Sequence, residues 1–241
     1  MPVIQTKLIN PKPMCERLLI ALFLPNFQTT KFSLPHSQPT EFNMRHQYFA
    51  LNKPYGYLSQ FSDEASHPGL LKLNLGLPKD VYPIGRLDRD SEGLLLLTND
   101  NRFKSEMISP EGEHERRYWV QVEGEPQAQE MHAFERPMEL TIRKNAFTTR
   151  PASAQVLNNI EVPERTPPIR HRLNVPTTWL EISLTEGKNR QVRKMTAHVG
   201  FPTLRLIRKG FGSLDLDQLE IEIGKVQELT QEEAYKALRN S

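Results

Sequence analysis

The chain has 241 residues, of which 37% are hydrophobic and 25% charged, and its net charge is +2. These proportions exclude a disordered or fibrous chain and leave room for one large globular domain or two small ones. The single cysteine, Cys15, excludes an internal disulfide and a cysteine-based zinc site, and points to a cytoplasmic location.

Residues 1–45 carry Pro2, Pro11, Pro13, Pro25, Pro35 and Pro39, with little periodicity after Leu24, the pattern of a mostly disordered leader. The apolar run Leu18–Leu24 is cut by Pro25, has no small-residue cleavage site behind it and is too short to span a bilayer. No targeting or membrane segment is expected. Structured patterning begins at His46. Tyr48–Leu51 reads as a strand ended by the turn signal Lys53-Pro-Tyr-Gly56, and Val81–Ile84 as a short strand running into a loop at Gly85. Gly93–Thr98 is a continuous apolar run, as expected of a strand buried on both faces. Asn101 is positioned to cap a helix from Arg102 to Ile108, stopped by Pro110.

Arg117–Glu123 alternates as a strand, and Pro126 opens a helix through about Phe134. Leu140–Leu157 carries strand-like pieces with basic residues between them, and Glu161–Pro176 reads as a proline-rich, basic surface loop. Trp179–Leu184 is a strand. Asn189–Val199 has helical spacing ended by Gly200, Thr203–Ile207 is a strand, and Gln231–Leu238 is an acidic helix. Strands outnumber helices without a regular βαβ alternation, so the predicted fold class is α+β, on a mixed or mainly antiparallel sheet.

Charge is unevenly spread. Between Glu186 and Gly210 stand Lys188, Arg190, Arg193, Lys194, Arg205, Arg208 and Lys209 against the single acid Glu186; from Asp215 onward acids dominate. A basic block beside an acidic tail suggests a polyanion-binding face, although charge alone favours an ordinary solvated helix face.

Chemistry concentrates in three segments. Gly85-Arg-Leu-Asp-Arg-Asp-Ser-Glu-Gly93 puts three carboxylates, Asp88, Asp90 and Glu92, in a loop between two apolar strands. The residues alone allow three readings: an acidic turn, the commonest fate of such a string; a divalent-metal site, although the spacing does not match a calcium loop; or a nucleophilic or acid–base carboxylate. In Glu186–Met195, Arg190, Arg193 and Lys194 can share a helix face. A carboxylate nucleophile needs such a cation to stay charged when substrate excludes water, and arginine, permanently charged and bidentate, suits the task. The remaining basic residues, Lys188, Arg190 and Lys194 here and Arg205 and Arg208 further on, can bind phosphates. In Arg116-Arg-Tyr118, at a strand start, Tyr118 offers a stacking ring and a proton-transferring hydroxyl; a half-buried strand aromatic is the plainer reading.

Gly85-Arg-Leu-Asp88, Arg117-Tyr118 and Gly187-Lys-Asn-Arg-Gln-Val-Arg193 occur in that order, with Asn52-Lys-Pro-Tyr55 upstream. Together they resemble the motifs of the bacterial RNA pseudouridine synthases of the A type, named for the enzyme of small-subunit ribosomal RNA, over roughly residues 47–229. Pro167-Pro-Ile-Arg170, Val175–Trp179 and Thr196–Arg208 extend the resemblance to members that act on large-subunit ribosomal RNA.

The resemblance implies a pseudouridine synthase fold over residues 46–241, a mixed, largely antiparallel sheet with flanking helices and a central active-site cleft, and no S4-type domain in residues 1–45. It implies Asp88 as the catalytic aspartate, Tyr118 as the residue that stacks on the base and assists proton removal, and Arg193 as the cation paired with the aspartate. Arg86 would enter the RNA stack where the base leaves. The expected protein is a cytoplasmic monomer without cofactor or metal, with large-subunit ribosomal RNA or an assembly intermediate as partner. The alternatives are small-subunit ribosomal RNA or transfer RNA as target, a non-catalytic RNA-binding assembly factor, and a metal-dependent hydrolase built on Asp88, Asp90 and Glu92.

Overall fold

The apolar pattern that begins at Tyr48 becomes β1 (Tyr48–Lys53) in the computed structural model, which describes residues 45–170, 172 and 174–239. Arg45 apart, the expected disordered leader lies outside the described residues. A single 3-10 turn at Leu70–Leu73 leads to β2 (Tyr82–Pro83), β3 (Glu92–Thr98) and α1 (Asn101–Ile108). Every residue of β3 is buried because both faces of the sheet are covered there. Leu94 and Leu96 pack with Tyr48, Phe103 and Met107; Leu95 and Leu97 pack with Phe49, Leu51, Leu70 and Val81 on the other side. Each such leucine contributes roughly 1.5–3 kcal/mol by leaving water.

The cap of α1 is Asp100 rather than Asn101. Asp100 has an extended backbone, and its Oδ1 accepts from the N–H groups of Arg102 (2.9 Å) and Phe103 (3.1 Å), while the Tyr48 hydroxyl donates to its Oδ2 (2.8 Å). Asn101 is the first helical residue.

The chain continues through β4 (Arg116–Glu123), α2 (Ala128–Met131), β5 (Glu139–Ile142), β6 (Asn145–Thr148), β7 (Ser153–Leu157) and β8 (Thr177–Leu184). It ends in α3 (Gln191–His198), β9 (Thr203–Phe211), β10 (Leu214–Asp215), α4 (Leu216–Leu219), β11 (Val226–Leu229) and α5 (Gln231–Tyr235). The helix expected from Pro126 to Phe134 is shorter: Gln127 and Glu130 form a capping box, and regular helix stops at Met131. α5 passes at Lys236 into a 3-10 turn, and the short elements β10, α4 and β11 have no clear sequence signal.

The main sheet has the order β11-β1-β3-β9-β4-β8-β7, with β2 on β3 and β10 on β9. All its pairings are antiparallel except β3–β9, which run parallel and meet only at Glu92↔Ile207 and Gly93↔Arg208. Two antiparallel halves are thus joined along a short parallel seam, the α+β architecture expected. Beyond the seam, alternate residues of β4, Tyr118, Val120 and Val122, pack with Leu180, Ile182 and Leu206 against Met131, Phe134, Val192 and Met195. Among the described residues no helix is long and apolar enough to cross a membrane.

The seam tolerates no side chain at Gly93. Its φ is +98°, and a Cβ there would collide with the backbone of Arg208. Gly93→Ala is therefore expected to cost roughly 1–3 kcal/mol in backbone strain before any repacking. The cost is read as a lowered urea midpoint; an unchanged midpoint would show that the seam can open without penalty.

Candidate active site

The loop that carries Asp88 is pinned from below. Leu87 is buried in the core beneath β3; its N–H donates to the Ser59 hydroxyl (2.9 Å), which donates in turn to the Leu87 carbonyl (2.8 Å). Asp88 follows at once. Its carbonyl accepts from the Ser91 N–H (3.0 Å), closing a turn that leaves the carboxylate side chain 31% exposed. The Arg89 carbonyl accepts from the Gly56 N–H (2.8 Å), and the Ser91 carbonyl from Lys53 Nζ (2.8 Å). The turn that ends β1 is therefore a clamp on the Asp88 loop.

Facing this loop is the start of α3. Arg190, its N-cap residue, has a left-handed backbone (φ 53°). Its guanidinium grips both oxygens of Asp90 at 2.9 Å and stands 3.7 Å from Asp88 Oδ2. One turn on, Arg193 Nη2 donates to the Asp90 carbonyl (2.7 Å) and lies 3.5 Å from Asp90 Oδ2. The cation at ion-pair distance from Asp88 is thus Arg190, not Arg193. Arg193 emerges deeper in the helix and meets Asp90 first, while its charge acts on Asp88 at longer range. Burial opposes ionisation of Asp90, but hydrogen bonds from Arg190 and the charges of Arg193 and Arg190 outweigh it and hold the carboxyl below its usual range. Glu92 is taken by Arg205 through two bonds of 2.8 Å. Asp88 and Asp90 thus share Arg190 while Glu92 is held by Arg205, and among the described residues no group of three or more His, Cys, Asp or Glu side chains is placed to hold a metal ion.

Tyr118 forms the opposite wall. A β-bulge sets it there: Arg117 pairs with Gly210 but Tyr118 pairs with Arg208, so Lys209 has no partner in the register. The extra residue brings Arg208 and Phe211, three positions apart, to the same cleft as Tyr118, and sends Lys209 over the Trp119 ring at 4.2 Å. Arg208 Nε donates to the Leu94 carbonyl (2.7 Å), and its guanidinium interacts with the Tyr118 hydroxyl. Asp88, Tyr118, Arg190 and Arg208 line one cleft of about 490 Å³, which Arg86, Arg143 and Lys188 also border as exposed cations. That volume falls in the ordinary range of small-molecule sites.

The profile of the RNA pseudouridylate synthase family matches residues 47–198, well over half of the chain. The chain belongs to this family. It is 48% identical over 170 residues to a ribosomal large subunit pseudouridine synthase E of Vibrio parahaemolyticus, covering 70% of this chain and 68% of that one. It is 49% identical over 170 residues to the protein of that name in Xanthomonas axonopodis pv. citri, covering 70% and 87%. A ribosomal small subunit pseudouridine synthase A of Salmonella typhimurium is 31% identical over 189 residues, covering 78% and 72%. A crystal structure of a pseudouridylate synthase superposes with a TM-score of 0.63 at 26% identity, over 80% of this chain and 74% of that chain. The protein is an RNA pseudouridine synthase, an isomerase with the mixed α+β fold of its relatives.

The synthase uses its basic residues differently from the phosphate-binding set expected of them. Arg205 is 3% exposed, bonded to Glu92 and to the Pro163 carbonyl (2.7 Å), and does not line the cleft. Lys194 Nζ donates to the Thr141 carbonyl (2.6 Å) and supports β5. Arg208 is in the cleft but buried, out of reach of a phosphate. Three cleft cations were missed: Arg89, in the Asp88 loop itself, Arg143 and Arg116. Arg143 is in the two-residue turn between β5 and β6, where both Arg143 and Lys144 have positive φ. Its only signal is a basic pair between strand-like pieces. Arg116, two residues before Tyr118 on an alternating strand, shares its face.

Lys53 is fully buried, and burial pushes its amine down to about 7, against the opposing pull of Glu92, Asp90 and Asp88. Its two acceptors, the carbonyls of Ser91 and Pro54 (3.1 Å), match the two N–H donors of a neutral amine. In the unfolded chain the amine binds its proton up to about pH 10.4. Between these values the unfolded state holds the extra proton, so stability rises as pH rises from about 7. Urea unfolding at pH 7, 8 and 9 should show increasing stability in the native protein and a flatter profile in Lys53→Met. Parallel profiles would contradict a neutral Lys53.

Proposed function

We propose that the synthase converts a uridine of large-subunit ribosomal RNA to pseudouridine, with Asp88 as nucleophile, Tyr118 as stacking and proton-transferring group, and Arg190 and Arg193 as the cations that keep Asp88 charged. The reading is carried by one observation: Asp88 and Tyr118 face a single cleft bordered by exposed cations. The RNA target is supported by the 48–49% identity to relatives named ribosomal large subunit pseudouridine synthase E.

Pseudouridine formation breaks the N1–C1′ bond, turns the base and rejoins it through C5. It is an isomerisation and consumes no external redox or phosphate energy. The uridine must leave its stack, at a cost of a few kcal/mol. Stacking on Tyr118, worth about 1–3 kcal/mol, offsets part of that cost. Arg86 fills the gap in the RNA, and Lys188 and Arg143 hold phosphates. As the base expels water, Asp88 depends on Arg190, 3.7 Å away, and on the longer-range charge of Arg193 to remain a carboxylate able to attack the ribose or the ring. Tyr118 then relays the proton that leaves C5.

The test is carbodiimide mapping of pseudouridine in 23S ribosomal RNA from a strain lacking the protein, complemented with native or variant chains. One site should vanish on deletion, return with the native protein, and stay absent with Asp88→Asn. Tyr118→Phe should slow the isolated reaction about 10²–10⁴-fold. A site restored by Asp88→Asn would remove the nucleophile from the scheme, and an unchanged 23S map would move the target to small-subunit or transfer RNA.

A further inference from the structure

Two guanidiniums in the cleft have no part in this scheme. Arg116, half-buried at the start of β4, donates Nη1 to the carbonyls of His114 (2.9 Å) and Thr185 (3.2 Å). Arg208, buried across the bulge, donates Nε to the Leu94 carbonyl (2.7 Å). Both lean on one ring, with their guanidinium carbons 4.8 and 5.5 Å from the centroid of Phe211. Both line the cleft with Tyr118.

Their electrostatics are unusual for this protein. Arg117, Arg190 and Arg205 each hold a carboxylate. By contrast, the leading electrostatic influences on Arg116 are Tyr118 and Arg208, and on Arg208 the Tyr118 hydroxyl. Burial pushes both guanidiniums below the usual arginine range. Two neighbouring like charges withdrawn from water disfavour each other's ionised form. Such a pair is suited to meet an anion that forms inside the cleft. A phosphate is poorly placed to be that anion, because Arg208 is only 5% exposed and the exposed cations of the cleft are Arg86, Arg89, Arg143, Lys188 and Arg190.

With the cleft read as the uridine site, the reaction itself supplies the anion. When N1–C1′ breaks, its electron pair stays with the base, and the negative charge spreads over N1 and the two carbonyl oxygens of uracil. That is the ribose route; if Asp88 instead adds to the ring at C6, the pair of the C5=C6 bond moves onto the C4 carbonyl oxygen as an enolate, so negative charge reaches a carbonyl oxygen on either route. Rejoining forms C5–C1′ and frees Asp88; the proton lost from C5 is matched by one gained at N1. We propose that Arg116, backed by Arg208, holds the negative charge of the detached uracil at a carbonyl oxygen and thereby governs glycosidic-bond breaking. The role is that of an oxyanion hole for a leaving base: fixed donors aimed at charge that exists only late in the reaction.

The experiment compares two RNAs of identical sequence in single turnover at saturating enzyme, one with uridine and one with 5-fluorouridine at the target. Loss of the parent nucleoside is followed by chromatography of the digest. Fluorine stabilises the uracil anion, so the fluorinated base needs less help to leave. Arg116→Met should slow the uridine substrate about 10²–10³-fold and the fluorinated one at least 10-fold less. Because both rates come from one protein sample, a misfolded fraction cancels in their ratio. Arg116→Lys, which keeps a charge but not the fork, should show the same bias to a smaller degree, and it serves alone if Arg116→Met does not fold. Equal slowing of both RNAs, or a defect that disappears at saturation, would overturn the proposal. Failure of the functional reading looks different: the native protein itself would leave the uridine RNA unchanged.

Discussion

The contact on which the site depends is backbone to backbone, where Gly93 of β3 meets Arg208 of β9 and two antiparallel half-sheets become one. Only glycine fits that approach. One consequence is positional: the loop that delivers Asp88 ends at this contact, and β9 carries the connection on to β4 and Tyr118. The two walls of the cleft, 30 residues apart in sequence, are thus one strand apart in space. Arg208 reinforces the seam by a second route, since its side chain reaches back to the carbonyl of Leu94, next to Gly93.

Charge is sorted by face rather than by segment. On the cleft side Arg116 stands under the influence of Arg208 and Tyr118, while Arg190 and Arg193 share Asp90 and act on Asp88. Away from the cleft, Arg205 pairs with Glu92, Arg117 with Asp215 and Lys209 with Asp217. Two of the acids that follow the basic block, Asp215 and Asp217, therefore neutralise Arg117 of β4 and Lys209 of β9, which point away from the cleft. A chain of net charge +2 can in this way present a positive cleft, because Glu92, Asp215 and Asp217 sit on cations that do not line it.

Much was legible because it depended on local periodicity. The uninterrupted run in β3, the alternation of β4 and the 3.6-residue spacing of α3 each reflect burial on two faces, one face or one stripe, and a linear pattern records these directly. The three chemistry-bearing segments were likewise visible, because their residue types are rare in such close order, and Asp88, Tyr118 and the start of α3 do meet at one cleft. Asp100 was missed as a cap because its neighbour Asn101 is an equally good candidate by type.

What the chain order could not reveal was which of several similar residues faces which partner. Arg190 and Arg193 differ by one helical turn, and only the position of the Asp88 loop decides that the first reaches Asp88 and both grip Asp90. Arg205, Arg208 and Lys209 read as one basic strand, yet the first is consumed by Glu92, the second enters the cleft and the third covers Trp119. The cause is the bulge between β4 and β9. Strand alternation is a local property and is written in the sequence, but the one-residue slip that changes its phase is set by the partner strand, and so exists only in the folded sheet.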